Sequence, residues 1–226
     1  MKTALTQLCL RRGLPPPAFF VTDKSLLGLG YGVSIAVPLS AAVVDEVAEL
    51  TCPTHSYFHH YRTVNTFLDA TMLEIGLLLA SYGFRYLPIG ASQSIPTPED
   101  PHGYHGRFSH KEGACLAGMG YMGSSGLFLH KDYGPRVRLG TVLTDCPLLD
   151  KNPAPVVNTS CAGCMRCAAA CPSGAIYGRL YSPELPEFSL VNPQKCSNHM
   201  KNAYRLIGRG AVCGICMAVC PKGKYL

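Results

Sequence analysis

Cys161-Ala-Gly-Cys164-Met-Arg-Cys167-Ala-Ala-Ala-Cys171-Pro172 is the stretch on which the reading of this 226-residue chain turns. Its spacing is C-x2-C-x2-C-x3-C-P. A second run follows: Cys196, then Cys213-Gly-Ile-Cys216-Met-Ala-Val-Cys220-Pro221. Eight of the twelve cysteines thus fall in the last 66 residues. A [4Fe–4S] cube needs four thiolates, three from a tight loop and one from elsewhere. In two-cluster ferredoxins the cysteine before proline ligates the other cluster. The spacing therefore predicts that Cys161, Cys164, Cys167 and Cys220 hold one cluster. Cys171, Cys196, Cys213 and Cys216 hold the second. Zinc sites generally use two C-x2-C pairs without an x3 step. A disulfide framework belongs to small secreted domains in oxidising compartments. The spacing thus favours one-electron chemistry over either alternative.

Charge points to the same segment. Residues 1–160 carry twelve basic and twelve acidic side chains, whereas 161–226 carry eight basic and two acidic ones, so the whole net charge of +6 lies beside the clusters. Arg166, Arg179, Lys195, Lys201, Arg205, Arg209, Lys222 and Lys224 supply counter-charge to thiolates and anionic clusters, and nearby cations tune cluster potential. They also offer a docking face for an acidic electron donor. A nucleic-acid patch is disfavoured, because the basic residues are scattered among ligands without interleaved aromatic side chains.

The rest of the chain is too long for a ferredoxin. With 47% hydrophobic residues it has the material for a sizeable core beside the cluster module. The expected organisation is a mixed α/β domain over 1–150 and a two-cluster domain over 151–226, joined by a proline-containing linker at Leu148–Thr159. The run Leu26–Leu39, the longest apolar one, is broken by glycines and Pro38, so no membrane span is expected. Arg11-Arg12 is followed by Pro15-Pro16-Pro17 rather than an apolar stretch, so no export signal is read. Free thiols and clusters suit a reducing cytoplasm, in keeping with an anaerobic cell. Cys9, Cys52, Cys115 and Cys146 read as ordinary buried or partly buried thiols.

Thr3–Arg12 and Ser40–Leu50 read as helices, with Ser40 as a cap. The longest helix is expected from about His59 to Tyr82, with Tyr61, Val64, Leu68, Met72, Ile75 and Leu79 at helical spacing and Gly83 as its stop. Phe19–Thr22, Tyr31–Val37, Phe84–Leu87 and Arg136–Leu143 read as strands, the last with Val137, Leu139, Thr141 and Leu143 on one face. Ser92–His110, with three histidines and three prolines, reads as a long loop over a site. Gly118, Gly120 and Gly123 match G-x-G-x-x-G only superficially, since no clear strand precedes them. They imply close backbone approach to a neighbour.

The stretch Ala117-Gly-Met-Gly-Tyr-Met-Gly-Ser-Ser-Gly-Leu-Phe-Leu-His130, then Tyr133-Gly-Pro-Arg-Val-Arg-Leu-Gly-Thr-Val-Leu-Thr-Asp145, leads into the two cysteine runs. In this order it resembles the epoxyqueuosine reductases and reductive dehalogenases over roughly 55–221. The resemblance implies a nitroreductase-like domain that holds a cobalamin, followed by a bacterial ferredoxin-like domain with two [4Fe–4S] clusters. Electrons then enter from a low-potential donor such as ferredoxin or flavodoxin and reduce the corrinoid. Tyr57, Tyr61, Asn65, Gly118, Gly120, Gly123, Ser124, Arg136, Arg138 and Thr141 are the implied cofactor contacts. His60, His110 and Tyr121 are the candidate proton donors, and a protein ligand to cobalt is not expected. Phe84–Ser92 lacks the carboxylate that epoxyqueuosine reductases place there, and nothing shared supports a tRNA substrate. Three functions follow: a cobalamin-dependent reductase of a small organic molecule, an electron-transfer protein that reduces a corrinoid or a corrinoid partner protein, and an FMN-dependent reductase. No membrane or nucleic-acid partner is expected.

Overall fold

The computed structural model describes residues 1–158, 160–186 and 188–223. Thr159 of the expected linker, and Glu187 and Lys224 of the charge count, lie outside the described residues. The elements run α1 (Lys2–Arg11), β1 (Ala18–Leu26), β2 (Leu29–Pro38), α2 (Ala41–Leu50), α3 (His55–Ser81), β3 (Tyr86–Ile89), α4 (His110–Leu116), β4 (Gly120–Met122), β5 (Phe128–His130), β6 (Val137–Thr144), α5 (Arg166–Ala169), α6 (Pro193–Ala203) and α7 (Ile215–Ala218). The chain forms two compact units that interleave along the sequence. One comprises Met1–Val37, Val64–Gly120 and Arg138–Val156, and the other Pro38–Thr63, Tyr121–Val137 and the C-terminal stretch from Val157.

The first unit is built on a four-stranded sheet in the order β1-β2-β6-β3. β1 and β2 pair antiparallel, Ala18 opposite Ser34, and β3 pairs antiparallel with β6, Tyr86 opposite Thr144. Six consecutive residues of β6, Leu139–Thr144, are buried. The expected one-faced alternation is replaced because β6 is an inner strand covered on both faces. Leu68, Met72, Ile75 and Leu79 of α3 are almost fully buried and recur at helical spacing. Taken by length and composition, α3 passes as a membrane span: its best 18-residue window has mean hydropathy 1.3. That departs from the expectation of no spanning run; 44% of the window is buried inside the fold.

Three boundaries differ from the sequence expectation for local reasons. α3 starts four residues early because Thr54 caps it: its Oγ1 accepts from the Tyr57 N–H at 3.1 Å. β3 starts late because the end of α3 uses Phe84, whose N–H returns to the Leu79 carbonyl, while Asp145 holds Arg85 through its N–H at 2.8 Å and its Nε at 2.9 Å. Ser40 precedes α2 as expected, but its side chain makes no capping bond. Instead its N–H donates to Nε2 of His60 at 3.1 Å.

The second unit packs α2 against α7, pairs β4 with β5 in a hairpin, and carries all eight cysteines of the two runs. Val44 and Val47 of α2 and Ile215 and Met217 of α7 are buried there. Arg136, 3% exposed, donates through Nη2 to Asp45 at 2.7 Å.

Candidate metal centre and polar site

Each cysteine run is a loop followed by one short helical turn. Cys164 N–H bonds the Cys161 carbonyl, α5 follows, and Cys171 N–H returns to Ala168. In the second run, α7 follows Gly214 and Cys220 N–H returns to Met217. These turns fix the backbone that carries the thiols.

The thiols gather in two crossed sets. Cys161, Cys164, Cys167 and Cys220 line one pocket in the second unit. Burial raises the pKa of Cys220, and the charges of Cys161, Cys167 and Cys164 raise it further. Burial pushes Cys213 up to about 11 and Cys216 up to about 12. The charges that raise Cys213 are those of Cys196, Cys171 and Cys52, and for Cys216 those of Cys213, Cys196 and Cys171, with Cys167 last. Cys196 is raised by burial and then by Cys171. Cys171 differs. Burial acts upward on it, but the Ser173 hydroxyl and the N–H groups of Ala175, Ser173 and Ile176 together hold it below the usual thiol range. Mutual repelling thiolates are the arrangement that bound iron relieves.

The surroundings fit clusters. Ser124, 1% exposed, lines the first pocket with a hydroxyl that has no protein partner. A cluster sulfur there would accept its proton, and such hydrogen bonds tune cluster potential. His199, on α6 with Cys196, has a buried Nε2 without a partner. Among the described residues no three His, Cys, Asp or Glu side chains converge on one ion.

The first unit contains a separate polar site. His110 opens α4, whose N-cap Ser109 accepts from the Glu112 N–H. The His110 Nδ1 lies 2.9 Å from Thr141 Oγ1 on β6 and its Nε2 lies 3.0 Å from the Gly90 carbonyl after β3. Arg138 donates through Nε to Asn65 Oδ1 at 3.0 Å and through Nη2 to the Ala91 carbonyl at 3.1 Å. Asp69, one turn beyond Asn65 on α3, accepts the Ala91 N–H at 2.9 Å. Four expected site residues, Asn65, His110, Arg138 and Thr141, are thus brought together. Asp69 is an addition that the Asn65–Asp69 helical spacing signals but that no motif marks.

His110 has its pKa lowered, first by burial and then, against the Gly90 bond, by the Arg138 charge. A lowered histidine pKa favours the neutral form in the folded state. Its stabilisation is present above the ordinary value of 6.5 and is lost as pH falls through the lowered one. Amide protection factors in 90–116, with the base-catalysed intrinsic rate divided out, are therefore expected to fall from pH 7.5 to 5.5 in the parent. A His110→Gln variant should show a flatter pH dependence. Equal pH dependence in both proteins would remove His110 as the cause.

The other expected contacts are dispersed or already used. His60, its pKa lowered by burial, accepts from Ser40. The Tyr57 and Tyr61 rings lie 6.5 Å apart and tilted by 47°, and a Cβ on Gly214 would lie 2.8 Å from the Tyr57 ring, so Tyr57 covers the loop between Cys213 and Cys216. Arg136 is taken by Asp45. The glycine-rich stretch is a helix exit and a hairpin strand rather than one turn. Gly118 follows α4 and faces Pro153, Gly120 begins β4, and Gly123 faces Leu129 at 2.2 Å from an added Cβ. Protein neighbours account for the missing side chains at Gly118 and Gly123. Tyr121 lies on β4, half-buried. Cys9 and Cys115 are buried enough to reach about 11, as inert thiols do. Cys146 is buried and Cys52 partly so, as expected.

Residues 160–223 match the 4Fe-4S double cluster binding domain. The tetrachloroethene reductive dehalogenase of Sulfurospirillum multivorans is 34% identical over 117 residues, covering 49% of this chain and 23% of that protein. The epoxyqueuosine reductase of Lactococcus garvieae is 30% identical over 120 residues, covering 49% of this chain and 31% of its own. The chain therefore spans only 23–31% of the length of these curated relatives. Among solved structures, a reductive dehalogenase described in terms of B12-dependent dehalogenation superposes with TM-score 0.70 at 17% identity, over 98% of this chain and 31% of that one. Epoxyqueuosine reductase from Bacillus subtilis gives TM-score 0.66 at 18% identity, over 99% of this chain and 65% of its own. At those identities the structures establish a shared α/β fold. The cysteine sets and the matched domain agree: residues 160–223 are a double [4Fe–4S] cluster binding domain, in a chain that shares the fold of epoxyqueuosine reductases and reductive dehalogenases.

Proposed function

We propose that this chain is the redox core of a cytoplasmic reductase that receives single electrons from a low-potential carrier, passes them through two [4Fe–4S] clusters, and delivers them to a corrinoid that reduces a small organic molecule. The observation that carries this reading is the pair of crossed four-thiol sets in a chain whose fold is shared almost end to end with that of reductases of this family. When bound, a corrinoid supplies a strongly reducing, nucleophilic cobalt. The chain's own residues then have distinct tasks. Asn65, Arg138 and Thr141 offer neutral and cationic polar groups suited to the amide periphery of such a cofactor. Both ring nitrogens of His110 are already engaged, so it offers cobalt no ligand. Its role in this reading is to fix Thr141 and the Gly90 carbonyl. His60 and Tyr121 are the proposed proton donors, with Tyr57 and Tyr61 as ring contacts.

A second reading is favoured by one observation. Phe84–Ser92 holds no carboxylate, and His110 is committed to the protein. A protein that reduces a corrinoid partner protein needs no substrate acid of its own.

The test is anaerobic reconstitution followed by titration with hydroxocobalamin. One corrinoid per chain is expected, with at least tenfold weaker binding, about 1.4 kcal/mol, in Arg138→Ala. Reduced ferredoxin should then change the corrinoid spectrum only when both clusters are loaded. Absence of corrinoid binding, or retention of FMN instead, would sink the proposal. Turnover of a halogenated or epoxide substrate separates the first reading from the second.

A further inference from the structure

The cysteine pocket of the first set has a rim that the proposed function does not use. Exposed Arg166 and Lys222 border it. Met165, between two ligands, is 50% exposed. Its Sδ and Cε lie against Gly178, where an added Cβ would sit 2.4 Å from Cε. The segment after Ile176 is thereby placed beside the cluster loop. That segment exposes Tyr177 (42%), Leu180 (47%) and Tyr181 (46%). Arg179 stands over the Tyr177 ring at 5.7 Å. The result is an apolar centre of one methionine, one leucine and two tyrosines with cations around it. The nearest described acid in sequence, Glu184, is turned to the Ser182 hydroxyl.

The second cysteine set has less open surroundings. Tyr57 covers Gly214, Phe58 covers Gly208, and α2 packs on α7. Its outer loop exposes Leu206 between Arg205 and Arg209, but shows no comparable group of large apolar side chains.

We propose that the face formed by Met165, Arg166, Tyr177, Arg179, Leu180 and Lys222 docks an acidic one-electron carrier protein, so that electrons enter at the set of Cys161, Cys164, Cys167 and Cys220. An apolar centre with a polar rim is the anatomy of a protein interface, and opposite charge steers the encounter. In the transfer one electron leaves the carrier and one arrives at the cluster, so the carrier is oxidised as the cluster is reduced. No bond changes and no proton is required. This inference rests on the two-cluster reading but not on the corrinoid.

The test is calorimetric titration of the reconstituted protein with a purified acidic ferredoxin, without corrinoid, at several salt concentrations. Arg179→Glu and Lys222→Glu should each weaken binding about tenfold, and salt should weaken the parent more steeply than either variant. Arg205→Glu should leave affinity within about twofold. Arg179→Glu and Arg205→Glu should keep the parent's iron content and its rate of cluster reduction by methyl viologen radical, a small cation that needs no docking face. Unchanged affinity in Arg179→Glu and Lys222→Glu, or weakening only in Arg205→Glu, would place entry elsewhere and overturn the assignment. Because the readout is carrier binding, it stands or falls independently of corrinoid reduction.

Discussion

Replacing Cys171 by Ala is expected to abolish the cluster of the other run, not of its own. Iron should fall from about eight to about four per chain, with the set of Cys161, Cys164, Cys167 and Cys220 still loaded. The sequence neighbour argument alone would give the opposite result, since Cys171 is four residues from Cys167. The structure separates them. Cys171 follows α5, is held down by the Ser173 hydroxyl and the N–H groups of Ser173, Ala175 and Ile176, and exerts its charge on Cys196, Cys213 and Cys216. Cys220 in turn is raised, after burial, by Cys161, Cys167 and Cys164. Cys220→Ala should therefore produce the mirror image and empty the first set. Iron analysis with paramagnetic resonance of the reduced protein distinguishes the two outcomes. Each variant should retain one cluster signal, and the two signals should differ. If both variants lose the same cluster, the crossed assignment is wrong.

What could be read in advance follows from the range of the forces involved. Ligand spacing in a cluster loop is local, so the eight cysteines and their crossing were legible from C-x2-C-x2-C-x3-C-P. α3 was legible because Leu68, Met72, Ile75 and Leu79 repeat at 3.6-residue intervals. Its true start was not, because that depends on one hydroxyl of Thr54. β6 looked half-exposed because its burial comes from strands and helices far away in sequence. The polar site was half legible: Asn65, His110, Arg138 and Thr141 were singled out, but their bonding to one another, and the presence of Asp69, depend on contacts across 20–73 residues. The same holds for Arg136, whose partner Asp45 lies 91 positions earlier in the chain. The glycine-rich stretch invited a ligand because glycine signals close approach without saying to what. Here Pro153 and Leu129 fill that space.

Gly134 shows how such an approach governs a cluster. It sits at φ +56°, in the left-handed region, and forms a tight bridge with His130 through hydrogen bonds of 2.8 and 2.9 Å. An added Cβ would lie 2.2 Å from the Lys222 carbonyl oxygen and 2.6 Å from its carbon. Both are backbone atoms, so no rotamer change relieves the overlap. Either the hairpin end or the chain at 222 must move by about 1 Å, given ordinary van der Waals separations. Lys222 is two residues from Cys220, and Gly223 N–H is bonded to the Cys220 carbonyl, so displacement at 222 is transmitted to the ligand. The left-handed φ adds about 1–2 kcal/mol for a residue with a Cβ, and overpacking a further 1–3 kcal/mol. Gly134→Ala is thus expected to lower the thermal midpoint by about 5–15 °C for a chain of this size. It should also lose iron selectively from the set containing Cys220. Gly123→Ala is the matched comparison: its Cβ would meet Leu129 Cδ1 at 2.2 Å, a side-chain atom that can rotate away. That variant should keep both clusters and lose at most about 1–3 kcal/mol. If Gly134→Ala keeps its full iron and melts within about 2 °C of the parent, a change worth about 1 kcal/mol or less, the backbone at 222 is free to move and does not fix the fourth ligand.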